Sequence, residues 1–360
     1  MDIDTLLSPI SDTQPTGADA RVEPEITQKY YSLKDARTSA RAAERSNIFD
    51  NNTSEIPEWS TILNQAPQVI CEQTKDLEIC CWYTEALVRK DGFVGLKLGF
   101  ELIRGLIEEF WEELYPMPDE DGLETRVAPL TGLNGSGSEG VLISPIRNVK
   151  LTNSNTHESY SLWQYQQALD MQKIHDDNER QNRISSAGFS LTDIQQSVAS
   201  TDNDFFIDTV DDINACIEDY KAISNLLDDH CGLDISPPSR NIINVLEECI
   251  AAIKHLAADI FEQTELNNSE SDLTNDENDE KNVKQTNGCI NSREEAFSQL
   301  LKIADFFKRT EPHSPLSATL QRAVEWGNMP IERLIQQLIP DNSSREHFSE
   351  LTGVKNEENY

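Results

Sequence analysis

Two long runs of apolar residues at helical spacing, parted by only two residues, most constrain what this chain can fold into. Across 76–90, Leu77, Cys80, Cys81, Thr84, Leu87 and Val88 recur every three or four positions. Across 93–114 the same rhythm returns in Leu96, Phe100, Ile103, Ile107, Phe110 and Leu114, and between the runs stands Asp91-Gly92. So short a break between long amphipathic helices predicts an antiparallel helical hairpin. A second pair is legible further on. The segment 203–230 carries Phe206, Val210, Ile213, Ile217, Tyr220, Ile223 and Leu227, with Gly232 just past its end as a C-cap. Pro237-Pro238 then opens a helix through Ile242, Val245, Leu246, Cys249 and Ile253. Strand-like alternation is nearly absent, so the predicted fold is mainly α.

The remaining punctuation completes the organisation. Helical spacing begins at Pro24 (Ile26, Tyr30, Leu33, Arg37, Ala40) and again at Pro57 (Trp59, Ile62, Leu63, Ala66, Ile70). Pro67 inside the latter is expected to kink or split it. From 119 to 152, Gly, Pro, Ser and Asn predominate, which predicts a long loop with a short strand at 141–143. Ser190 is the expected cap of a helix after Phe189. Residues 262–288 are almost all polar or acidic and cannot bury enough surface to offset the entropy of ordering. They are expected to form a disordered tether of about 25 residues, spanning roughly 25–30 Å. Helices then follow at 292–308, 316–326 and 330–339. Four parts are expected: an N-terminal helical domain over 1–150, a middle helical domain over 151–262, an acidic linker over 263–291 and a C-terminal helical module over 292–360. The last is small enough to want a partner or self-assembly.

Charge and motif searches narrow the function. With 64 acidic against 30 basic residues, the formal charge is −34. Such a field repels phosphate backbones and anionic lipid, which argues against nucleic-acid or membrane binding. No run of about 18 apolar residues reads as a membrane span, and the start Met1-Asp2-Ile3-Asp4 is unlike a signal peptide; a cytoplasmic location is expected. The seven cysteines are scattered without a C-x-x-C pair and read as small buried hydrophobes. Neither the six histidines nor the carboxylate runs have metal-site spacing, and no nucleophile motif occurs. His255 is read as a hydrogen-bonding residue on a helix edge. Gly135-x-Gly137-x-x-Gly140 fits a dinucleotide fingerprint formally, but it lacks the strand before and the helix after that such a site needs, so it reads as a loop. No catalytic, cofactor or metal residue is assigned, and an enzyme is not expected.

Several segments carry a family resemblance. They are residues 10–21 (ISDTQPTGADAR), Lys75-Asp76-Leu77, Trp82, Thr84-Glu85-Ala86-Leu87, Gly92-Phe93, Gly95-Leu96, and Trp111-Glu112-Glu113-Leu114-Tyr115-Pro116. Leu133-Asn134-Gly135, Leu142-Ile143 and Pro145-Ile146-Arg147 continue the set, and Arg309-Thr310-Glu311-Pro312-His313-Ser314-Pro315, Arg322-Ala323 and Trp326-Gly327 close it. Together they resemble the TssA (ImpA) family of type VI secretion components, in the right order over about two-thirds of the chain. The resemblance implies a structural part of a contractile injector, forming a ring through its C-terminal region and contacting baseplate, sheath or tube proteins. The C-terminal signature resembles the shorter, baseplate-associated branch. A sheath-tip cap is the alternative within the family, and a generic helical interaction scaffold the alternative outside it.

Four C-terminal residues are candidates for the contact surface: Arg309, Glu311, His313 and Trp326. His313 lies between two prolines. One reading is a rigid interhelix turn, capped by Ser314, opened by Pro315 and braced by an Arg309–Glu311 pair; the other is a contact with a neighbouring subunit. Trp326 is read as interface, because so small a module has little interior for an indole.

Overall fold

A computed structural model of the chain describes residues 2–50, 56–120, 122–261, 293–310 and 315–327, with Met329 and Leu334; at 47–50, 294–296 and 310 the description covers the backbone alone. It divides into two compact units, Met1–Asn275 and Asp276–Tyr360. Among the described residues every regular element is a helix, and β contacts are isolated bridges such as Gly17 with Thr74 and Asp76 with Tyr115. The mainly helical expectation is met. The acidic segment 263–291 and, apart from Leu334, the helix expected at 330–339 lie outside the described residues.

The first unit begins with α1 (Ile3–Leu7), α2 (Pro24–Asp50) and α3 (Pro57–Glu72). They pack on one another and on α4 (Leu77–Phe110), which is the expected hairpin. Its two arms meet at Gly92, where φ is 61° and ψ −134°, a region that side-chain-bearing residues avoid. The arms then run back antiparallel, touching where Gly99 leaves no room for a Cβ beside Thr84. The hairpin's open end is tied by Leu77 N–H donating to the Tyr115 carbonyl (2.8 Å) and Tyr115 N–H donating to the Lys75 carbonyl (3.1 Å).

Of the expected kink or split at Pro67, the split does not occur, since helix α3 passes through it as one element. A proline inside a helix costs about 3 kcal/mol. Here Ile62, Ala66, Val69 and Ile70 are buried on both sides of it. Each large aliphatic side chain among them contributes roughly 1.5–3 kcal/mol, so packing wins over the missing hydrogen bond.

The segment expected as a loop holds α5 (Leu123–Asn134) and α6 (Ile143–Asn148), and the strand expected at 141–143 is absent, Leu142 having right-handed helical dihedrals. Val127, Leu130, Leu133, Ile143 and Ile146 are buried, and both helices pack on α4. Tertiary burial overrides the weak local propensity of a Gly- and Pro-rich stretch. Residues 135–140 between them do form the expected loop.

Helices α7 (Leu162–Gln172), α8 (Asp177–Ala187) and α9 (Leu191–Ala199) form a small cluster around α7. Ser161 and Ser190 each build a capping box, with Gln164 and Asp193 respectively. Helix α8 has no fully buried residue; Ile184 and Ala187 pack partly buried against the core, the Asp176 carboxylate accepts from the N–H groups of Asn178 and Glu179, and Gly188 closes the last turn.

Helix α10 (Asn203–Cys231) lies along α4, with the Phe100 and Tyr220 rings 4.8 Å apart and Arg104 donating to Asp219 at 2.8 Å. Helix α11 (Arg240–Leu256) packs on α10 and on α5, α6 and α7. Its own N-cap makes no side-chain bond; the buried Asn134 supplies one instead, its Oδ1 accepting from Ile242 N–H at 3.0 Å. One hydrophobic cluster runs from Leu6 to Ala257.

The second unit contains α12 (Arg293–Thr310) and α13 (Leu316–Gly327), antiparallel, with the Arg293 guanidinium donating to the Gly327 carbonyl and Phe297 filling the space above Gly327. Ala304 and Val324 are buried between them, whereas Leu301 and Ile303 stand 43% and 45% exposed.

Candidate interaction surfaces

The residues that carry the family resemblance converge where the lead-in chain meets the start of α4. Asp76 is fully buried and caps that helix, its Oδ1 accepting from Glu78 N–H (2.8 Å) and Ile79 N–H (3.3 Å). Arg21 reaches it from 55 residues earlier, donating to Asp76 Oδ2 at 2.6 Å and to Glu78 Oε2 at 2.6 Å. Tyr30 Oη donates to the same Glu78 oxygen at 2.8 Å. Burial works against the Arg21 charge, yet Asp76 and Glu78 hold its guanidinium above the usual range. Burial, reinforced by Glu78, pushes the Tyr30 phenol up, so it remains a donor. Lys75, fully buried, gives its Nζ to the Leu6 carbonyl at 2.7 Å, and its N–H donates to the Thr16 carbonyl at 2.8 Å. Burial pulls this ammonium below its ordinary value.

Further along the same arm, Arg37 donates to the fully buried Glu85 at 2.7 Å. Arg89 pairs with Glu44 at 2.5 and 3.0 Å while lying 4.0 Å from the Trp59 ring centroid, and Trp59 Nε1 donates to Glu44 at 2.9 Å. This arrangement is a clamp. Its acids serve caps and guanidinium pairs, which is chemistry for holding helices together, although the second oxygen of the buried Glu85 makes no hydrogen bond among the described residues.

The thiols show the same character. Cys80, Cys81, Cys216 and Cys249 are buried, and burial pushes the Cys249 thiol up to about 12, leaving negligible thiolate at neutral pH. A thiol-alkylating reagent is therefore expected to modify these four only as the protein unfolds, while the half-exposed Cys71 and Cys231 react in the native state; peptide mass mapping along a urea series checks this. Fast native labelling of Cys80 or Cys81 would contradict it. Among the described residues no group of three or more His, Cys, Asp or Glu is placed to hold a metal ion. His255 accepts or donates at 2.8 Å with Tyr165 Oη, as a hydrogen-bonding edge residue.

Of the four C-terminal candidates, Glu311 and His313 lie outside the described residues. Arg309 is exposed in the last turn of α12, its Nε donating to the Asp305 carbonyl at 3.3 Å. Trp326 is half-buried in the last turn of α13, with the Arg322 guanidinium 6.0 Å from its ring centroid. Spacing alone missed the Arg21–Asp76–Glu78 and Arg37–Glu85 contacts, because the partners are about 50 residues apart; their signal was the block resemblance, which included Arg21, Asp76 and Glu85.

Fold and clamp together define a mainly helical protein whose N-terminal lead-in is tied to the start of its longest helix. The family described as ImpA, N-terminal, type VI secretion system, matches residues 7–135. The type VI secretion system component TssA1 of Pseudomonas aeruginosa is 23% identical over 372 aligned positions, spanning 99% of this chain and 100% of that protein. The solved N-terminal domain, including the conserved ImpA_N region, of the TssA component from Burkholderia cenocepacia superposes with a TM-score of 0.59 at 25% identity, covering 72% of this chain and 94% of that one. Residues 7–135 thus match the ImpA N-terminal region, and the chain is similar to TssA components of type VI secretion systems over nearly its whole length. Among the described residues no helix is long and apolar enough to cross a membrane.

Proposed function

We propose that the chain is a non-enzymatic assembly part of the type VI apparatus, working in the cytoplasm. Copies associate through the module at 292–360 into a ring, and the ring presents the first unit to baseplate, sheath and tube proteins while the tail is built. The observation that carries the reading is the exposure of Leu301 and Ile303 on α12. At about 100° per residue these side chains lie on opposite sides of the helix. A subunit in a closed ring meets one neighbour on each side through two different patches, and apolar residues on both sides of α12 suit such a contact. Arg309, Glu311, His313 and Trp326 are proposed as the polar and aromatic rim of the same contact. Gathering many first units in one ring raises their local concentration, so that individually weak contacts act together. The chain parts at 1–150 and 151–262 are then the contact-making portions, and 263–291 the tether.

Light scattering tests this. The full chain is expected to run as a multiple of its monomer mass, and both removal of 292–360 and the double substitution L301D with I303D are expected to return it to monomer. A monomeric full chain at high concentration, or a large assembly that survives the deletion, would overturn the reading. Separate pull-downs of the first unit and of the module at 292–360 against purified baseplate, sheath and tube proteins then identify the contact made by each.

A further inference from the structure

A cavity of about 1130 Å³ opens beside the turn of the α4 hairpin, lined from α2 by Arg41 and Arg45, from α4 by Arg89, Lys90 and Val94, and from the α6 region by Val141. Among the described residues its charges do not cancel locally. Glu44 is taken by Arg89, Glu139 by Arg147 at 2.7 Å, and Asp212 by Lys97 at 3.2 Å, while Lys150 donates to Gln164 at 3.0 Å. That leaves Asp91 against Lys150, whose neutral amide partner does not cancel its charge, and against Arg41, Arg45 and Lys90, which make no ion pair or hydrogen bond among the described residues. Burial pulls the Arg41 guanidinium below its usual range; Glu85 offsets part of this, and the repulsion of Arg37, Arg89 and Arg45 adds to it. In a chain of net charge −34, a cavity whose spare charges are cationic is a local reversal of sign. Beside them lie apolar walls, including Val94 at 61% exposure, together with Val141 and Phe205.

We infer that this cavity binds a carboxylate-rich peptide segment of a partner protein, its acids meeting Arg41, Arg45 and Lys90 and its apolar side chains meeting Val94, Val141 and Phe205. A carboxylate placed here would relieve cation–cation repulsion that Asp91 and Glu85 offset only in part, and would form charge-assisted hydrogen bonds with guanidinium groups. The volume exceeds the roughly 300–1,000 Å³ of small-molecule sites, so an extended segment fits better than a small anion. The chain's distant negative charge does not forbid this, because salt screens it beyond about 8 Å at physiological ionic strength.

The test is fluorescence anisotropy with the full chain and a labelled peptide of alternating glutamate and leucine, at physiological salt. Saturable binding is expected, together with its loss for the peptide in which glutamine replaces glutamate. Arg45 and Lys90 are both exposed, so R45E with K90E changes charge without threatening the fold. This pair is expected to weaken binding at least about 10-fold, which corresponds to ~1.4 kcal/mol. K254E, a charge reversal of a residue that does not line the cavity, is expected to leave it unchanged. Equal binding of the glutamine peptide, unchanged affinity in R45E/K90E, or complete displacement by inorganic phosphate at low millimolar concentration would each overturn the proposal. Repeating the titration in the L301D/I303D background separates this site from the assembly contact, since peptide binding is expected to persist there.

Discussion

Replacing Asp76 by alanine is expected to lower the stability of the first unit by about 3–4 kcal/mol, and replacing it by asparagine by only about half as much. The alanine variant removes two things at once. It strips the cap from α4, where Asp76 accepts two backbone N–H groups, and a lost cap costs about 1–2 kcal/mol. It also deprives Arg21 of the carboxylate 2.6 Å away. Removing one partner of a fully buried pair costs roughly 3–5 kcal/mol. Arg21 is 27% exposed and keeps Glu78 at 2.6 Å, so about 2 kcal/mol is the appropriate share. Asparagine still caps but cannot neutralise the guanidinium, so it loses the second contribution only. Urea unfolding followed by tryptophan fluorescence measures both variants, with Trp82 placed beside Tyr30 in the affected region. Equal losses for alanine and asparagine would show that the cap contributes nothing. A loss below about 1 kcal/mol for alanine would show that the clamp is not what holds the lead-in chain to α4.

What was legible in the sequence follows the physical range of each interaction. Ser190, the Asp91-Gly92 break and the Gly232 terminus act within one helical turn, and each does what its local chemistry requires. The hairpin stripes were legible because the 3.6 period is also local, and the buried faces of α4 and α10 match them. Where local signals and packing conflict, the sequence misled. Pro67 and the glycines and prolines around α5 and α6 are helix-unfriendly neighbours of residues that the core nonetheless buries, and burial decides. The clamp was invisible to spacing because Arg21–Asp76 and Arg37–Glu85 span 55 and 48 residues. The cavity at Arg41, Arg45 and Lys90 was invisible for a further reason. In a chain with more than twice as many acids as bases, nothing local to a lysine or arginine tells which cations will be left without an acid once the helices have packed.

Gly17 tests the other half of the clamp, and Gly17→Ala is expected to destabilise by about 2–4 kcal/mol. Its φ is 71°, and a Cβ there would overlap the Gln73 carbonyl oxygen, a backbone atom that cannot rotate away. That carbonyl is already engaged by Ala18 N–H at 3.1 Å, and Lys75 N–H is bonded to the Thr16 carbonyl at 2.8 Å, so the strand-like contact between the lead-in and the start of α4 would have to open. The conformational part costs about 1 kcal/mol or somewhat more, and forcing atoms into a packed contact adds roughly 1–3 kcal/mol. Gly188→Ala is the control: φ is 78° but nothing lies within 4 Å of the added Cβ, so only the conformational cost of about 1 kcal/mol remains. The difference between the two variants in urea unfolding isolates the contact with Gln73. If Gly17→Ala cost no more than Gly188→Ala, the lead-in chain would not be held against α4 in solution, and Arg21 would have no fixed path to Asp76.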